Sequence, residues 1–185
     1  MEDVFTRFAL NTEDPLTNFD IGFKYHELGH WASAASHYLR CAERTDDLNF
    51  AYECLIRCYY CFKSMQNRDF TAVHFLKHAL TVLPKRPEAY FILAKYHEQK
   101  GEWYDCYTIT SIALEVCDFD VTPLKTFIEY PGKYGLLYLK ALSGWYWEKI
   151  DQTKDIFIDL RDKHIIDPVY KESVVNNLKN LYGIE

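Results

Sequence analysis

The sequence lacks most of the signals that would assign it a chemistry. No glycine-rich segment is present to cradle a phosphate or a nucleotide cofactor. No Ser/His/Asp order and no paired acids stand out as a catalytic constellation. Lys and Arg form no cluster and the net charge is −6, which argues against nucleic acid or an anionic membrane as the main partner. No apolar run is long enough to span a bilayer. The opening MEDVFTRFALNTEDP has early acids and no apolar core of a secretory signal. Without such a signal, the 6 cysteines are expected to be reduced thiols in a cytoplasm rather than a disulfide framework. No stretch alternates with period two for long enough to make a sheet.

What is present is a folded, aromatic-rich chain of 185 residues, 49% apolar and 17% aromatic. That suffices for one domain with a real core. Two short strings suggest enzymes. HELGH, His26 to His30, matches the zinc-protease pattern, in which two histidines one helical turn apart hold a metal and the glutamate acts as base. CLIRCYYC, Cys54 to Cys61, matches the cysteine spacing that holds an iron–sulfur cluster in radical enzymes.

A repeat decides how both strings are read. KYHE occurs at 24–27 and again at 95–98. Gly29 and Gly101 are 72 residues apart, as are Trp31 and Trp103, Ala34 and Cys106, and Cys41 and Ala113. Ala72 and Ala79 lie 34 residues before Cys106 and Ala113. A beat near 34 residues, with apolar positions at threes and fours, is the mark of an array of helix pairs.

These positions resemble the tetratricopeptide repeat (TPR) family. From Pro87, the residues Tyr90, Leu93, Ala94, Gly101, Trp103, Cys106 and Ala113 fall at its aromatic, Leu, small and Gly positions. From Pro15, Ile21, Gly22, Tyr25, Gly29, Trp31, Ala34, Tyr38 and Cys41 do the same. A middle copy fits through Tyr52, Leu55, Tyr59, Ala72, Ala79 and Pro84, with about one extra turn at 64–67. A degenerate copy carries Leu142, Ser143 and Tyr146, but Asp155 where a small residue is expected.

The resemblance implies an all-α fold: a right-handed superhelix of antiparallel helix pairs, a solenoid, with a C-terminal capping helix. The expected layout is an extension at 1–14 and a single helical domain at 15–185. Within it lie repeats at about 15–47, 48–86 and 87–118, an insertion at 118–134, a degenerate repeat at 135–167 and the cap at 168–182. The insertion holds two prolines and several aromatics and reads as an ordered connection. In the cap, Tyr170, Val174, Leu178 and Leu181 form one stripe, with Lys171, Glu172, Asn176, Asn177 and Lys179 off it.

In that arrangement Gly29 is the turn between paired helices, so the helix ends before His30. HELGH then cannot aim both histidines at one metal, and the second copy has Glu102 in place of a second histidine. Cys54, Cys58 and Cys61 lie on one helix face, where free cysteines act as small hydrophobes. The expected metal ligands and cofactors are therefore none, with His26 and His30 as remote metal candidates.

The family's groove positions fall on Phe19, Phe23 and His26, on Glu53, Arg57 and Tyr60, and on Phe91, Lys95 and Glu98. Its clamp for C-terminal carboxylates has Lys and Asn where this chain has Phe19 and Phe23, so that specificity is not implied. The expectation is a non-catalytic scaffold that binds a protein or peptide partner. An alternative comes from the insertion with PKRPEAY and YLKALSGWYW, which look similar to helical segments attached to viral, phage and bacterial glycosyltransferases. A glycosyltransferase would then be the partner. A zinc hydrolase through HELGH is the remote alternative.

Overall fold

The computed structural model describes residues 3–163 and 167–184. Among these residues the fold is all-α, with no strand. The helices are α1 (Val4–Leu10), α2 (Pro15–Glu27), α3 (Trp31–Arg44), α4 (Leu48–Lys63), α5 (Asp69–Val82), α6 (Glu88–Lys100), α7 (Trp103–Val116), α8 (Lys133–Tyr146), α9 (Ile150–Lys163) and α10 (Pro168–Tyr182). Among the described residues no helix is long and apolar enough to cross a membrane.

Local chemistry explains where the helices start and how they turn. Three begin at an aspartate whose side chain accepts the first free backbone N–H groups. Asp14 caps α2 through Thr17 at 2.8 Å, Asp47 caps α4 through Asn49 at 2.9 Å, and Asp167 caps α10 through Val169 at 2.9 Å. Pro15 and Pro168 occupy first helical positions, where the missing N–H costs nothing. Each helix pair turns through one left-handed residue: Gly29, Asn67, Gly101 and Glu148, with φ of 74°, 57°, 72° and 60°. After Gly29 and Gly101 the same closing bonds recur, His30 N–H to Tyr25 O at 2.9 Å and Glu102 N–H to His97 O at 3.0 Å. Glu148 makes the same turn without the conformational freedom of glycine.

The chain forms two compact units. The first runs up to Pro84 and also takes in Thr122–Phe127; the second takes in Lys85–Val121 and the chain from Ile128 on. In the first, α1 packs on α2, α2 on α3, α3 on α4 and α4 on α5. In the second, α6 packs on α7, α7 on α8, α8 on α9 and α9 on α10, while α6 also meets α8.

Small residues sit where helices meet. Ala34 and Cys41 on α3, Ala72 and Ala79 on α5, and Cys106 and Ala113 on α7 are each 0% exposed. A β-carbon on Gly22 would sit 3.0 Å from the Tyr38 ring, so α2 and α3 approach through that glycine. In α9 the small contact is not at Asp155, which is exposed. It is Thr153, whose methyl fills the space left by the missing side chain of Gly144 on α8. On α10 the stripe faces inward: Val174 and Leu178 are buried, and Tyr170 and Leu181 are half-buried. Lys171, Glu172, Asn176 and Lys179 are exposed, while Asn177 is half-buried beside the Tyr138 hydroxyl at 3.4 Å.

Ala34→Leu, Ala72→Leu and Ala113→Leu should each overpack a helix crossing and cost about 1–3 kcal/mol in urea unfolding. Near-neutral results at all three would show that these crossings are loose. Glu148→Gly should act in the other direction. Relief of the left-handed conformation exceeds the added chain entropy, giving a gain of about 0.5–1 kcal/mol; a loss in the same assay would contradict it.

Candidate functional site

His26 and His30 do not share a helix. His26 is in the last turn of α2, Leu28 closes that helix, Gly29 reverses the chain, and His30 precedes α3. His26 turns inward: its ring meets Trp31 edge-on at 5.0 Å and its Nδ1 lies 3.5 Å from Cys61 Sγ. His30 is exposed, its ring stacked near Tyr25. Burial lowers the pKa of His26, the Arg57 charge lowers it further, and Glu27 works against both. Burial pushes the Cys61 thiol up to about 12, against the Arg57 charge. The Cys61–His26 contact therefore joins a neutral thiol to a neutral ring, not a thiolate to an imidazolium.

The other cysteines of the triplet face α3. Cys58 Sγ donates to Ala35 O at 3.7 Å. Bonding to Cys41 and burial raise the Cys54 thiol, and burial raises that of Cys58. All three are fully buried among Phe19, Tyr38 and Cys41. They are core side chains, and they form no metal-ligand group with His26.

The first unit holds six of the nine groove positions. Phe23 is half-buried and Phe19 is buried; both line a cleft of about 880 Å³ with Arg7, Asp20, Lys24 and Lys125. Arg7 Nη2 pairs with Asp20 across 2.7 Å. Glu53 is only 1% exposed. It accepts the backbone N–H groups of Lys125 at 2.7 Å and Thr126 at 2.9 Å, together with the Thr126 hydroxyl. Arg57 Nη2 donates to the Thr126 hydroxyl and to Phe127 O at 2.8 Å, and its guanidinium lies 5.8 Å from the Phe23 ring centre. Tyr60 is half-buried beside Tyr59. A second cleft, of about 450 Å³, is lined by Phe50, Glu53, Leu124 and Lys125.

The second unit holds the other three. Phe91 is buried against Gly135 and Tyr130, Lys95 pairs with Glu129, and Glu98 is half-buried. All three line a cleft of about 350 Å³ with Tyr138, Leu142 and Tyr170. Arg57 and Lys95, two of the expected groove positions, are each engaged by residues of the 118–134 connection. Lys125 and Thr126 are the site residues that the repeat spacing does not reveal. The only hint is that their connection is aromatic-rich and ordered, which says it packs somewhere but not where.

One group among the described residues could hold a metal: His97, Glu102 and Asp105, with ligand atoms within 4.8 Å of one another. His97 Nδ1 is 2.5 Å from Glu102 Oε2, and both carboxylates are exposed. Compared with known proteins, the chain matches no family model, and no curated protein is similar to it.

His26 and His37 give a pH dependence. Burial lowers both, reinforced by Arg57 and Arg40 respectively. The unfolded imidazoles titrate near about 6.5, so below that pH the unfolded chain binds more protons than the folded one. Their contribution is intact above about 6.5 and is lost as pH falls toward the folded values. The urea midpoint should drop between pH 7.5 and 5.5, and NMR titration should place both imidazole midpoints below 6.5. Midpoints at or above that value would contradict the assignment.

Proposed function

We propose that this chain is a non-catalytic binding scaffold of tetratricopeptide-repeat type. In this reading the first helix of each pair offers its face to an extended segment of a protein partner. The right-handed superhelix and the capping role of α10 belong to the same reading, as does a cytoplasmic setting, which the six free thiols support.

The single observation that carries the reading is where open space lies. Within each unit a cleft is lined by first-helix residues: Phe19 and Phe23 in one, Phe91, Lys95 and Glu98 in the other. Rings beside charged groups suit a segment with apolar anchors and a few polar contacts. The reactive-looking strings add nothing to these clefts as chemistry, since the triplet thiols are raised, Cys54 by its bond to Cys41 and by burial and Cys58 and Cys61 by burial, and HELGH is divided by a turn.

Photo-cross-linking residues placed at Phe23 and at Lys95 should trap one defined partner. The same residue at Phe70, an exposed position on α5, should not. A sugar transferase among the adducts would place the module beside that enzyme. With the trapped partner in hand, Phe23→Ala combined with Lys95→Glu should weaken its binding at least ~10-fold, with the melting midpoint nearly unchanged. Equal trapping at all three positions would defeat the reading.

A further inference from the structure

The first unit already holds an extended segment, and it is its own. Thr122–Phe127 crosses α4 without helix or strand structure. Its hold is polar and concentrated at two residues. Glu53 accepts two successive backbone N–H groups, at 2.7 and 2.9 Å, and the hydroxyl of Thr126. Arg57 Nη2 donates to that hydroxyl and to the next carbonyl but one along from Lys125, Phe127 O, at 2.8 Å. The Lys125 ammonium sits 4.8 Å from the Phe19 ring centre and 4.9 Å from that of Phe50. This is a full set of peptide-recognition contacts: main chain read by a buried carboxylate, a hydroxyl read by a charged pair, and a cation held over two rings.

The segment contributes little burial in return. Thr122, Pro123, Lys125 and Phe127 are exposed, Phe127 at 86%. Open space lies to either side of it. Lys125 lines both the 880 Å³ and the 450 Å³ clefts, so each opens beside the segment. The site is also under-filled. Arg57 Nε is buried and has no hydrogen-bond partner, although it lies on the same fork of the guanidinium as Nη2. A permanent structural clamp would be expected to fill its buried donors and to bury the apolar side chains it carries.

We propose that Thr122–Phe127 is a displaceable internal ligand, and that the face of α4 beneath it recognises an extended partner segment with a Lys or Arg followed by Thr or Ser. The partner supplies the same two N–H groups to Glu53, the same hydroxyl to Glu53 and Arg57, and its cation to Phe19 and Phe50. A longer segment continues into both clefts, which the internal one leaves open. The partner therefore competes with the strap, and the chain is closed to it until the strap lifts. This deepens the scaffold reading above and rests on it.

The probe is a fluorescent synthetic peptide with the sequence of residues 120–129. It should bind the full wild-type chain weakly. It should bind Lys125→Ala/Thr126→Ala, whose strap is weakened, at least ~10-fold more tightly, and Glu53→Gln in that background should remove the gain. Equal affinity for wild type and the strap variant, with both folded by circular dichroism, overturns the proposal. Should the variant fail to fold, amide hydrogen exchange in the wild type decides. The Lys125 and Thr126 amides should exchange at least ~10-fold faster than the slowest core amides of α4, reporting local release. Exchange only with global unfolding makes the strap a fixed part of the fold and overturns the proposal. A partner trapped at Phe23 that binds the wild type and the strap variant equally would leave the scaffold reading standing and remove only this one.

Discussion

The close approach of paired helices is the constraint on which the rest of this structure depends. At Gly22, Ala34, Cys41, Ala72, Ala79, Cys106, Ala113 and Gly144 the chain gives up side-chain volume so that a neighbouring helix can sit against it. The larger side chains then fill what remains. Phe19, Tyr38 and the three cysteines of α4 form one cluster in the first unit, and Phe157, Leu160, Val174 and Leu178 another in the second. Because interiors are packed to nearly crystalline density, a methylene too many at a crossing is felt as directly as one too few. The turns obey the same constraint. Within each pair one left-handed residue reverses the chain quickly and brings the two helices side by side.

Much of this was legible in the sequence because it is local. The helical periodicity and the Gly turns at 29 and 101 are written within a few residues of where they act; the Asp caps at 14, 47 and 167 are equally local, but the sequence reading did not include them. The division of HELGH by Gly29 followed from the repeat, and the shared helix face of the cysteine triplet from its own short spacing. The small contact in α9 was misplaced by two residues, at Asp155 instead of Thr153, because the partner glycine at 144 relaxes the requirement for alanine. What spacing could not supply was the cover on a helix face. The resemblance to the repeat family implied that Glu53 and Arg57 lie on the open side of α4, and nothing within that helix announces that residues 125–127 satisfy them.

Two interior acids show how differently such groups are accommodated. Glu88 meets Arg86 two residues away through a two-point contact, at 2.6 and 3.2 Å, with both residues nearly fully buried. That contact is made within one turn of chain. Glu53 is as deeply buried, yet its acceptors are filled from more than seventy residues downstream. Leaving a buried acceptor unfilled costs about 1–3 kcal/mol, and more for a charged one. The first unit is therefore complete only when a remote part of the chain has returned to it.

That return has a consequence for synthesis on the ribosome. The chain leaves the first unit at Pro84 and comes back at Thr122. Helices α1 to α5 emerge first, with Glu53 lacking its donors and the Phe19–Phe50 ring pair lacking its cation. At a translation rate of about 5–20 residues per second, the roughly forty intervening residues take about 2–8 s to appear. For that interval the nascent chain presents an uncovered groove to whatever is near the tunnel exit, and a chaperone or an assembly partner waiting there would meet a surface that the finished molecule conceals.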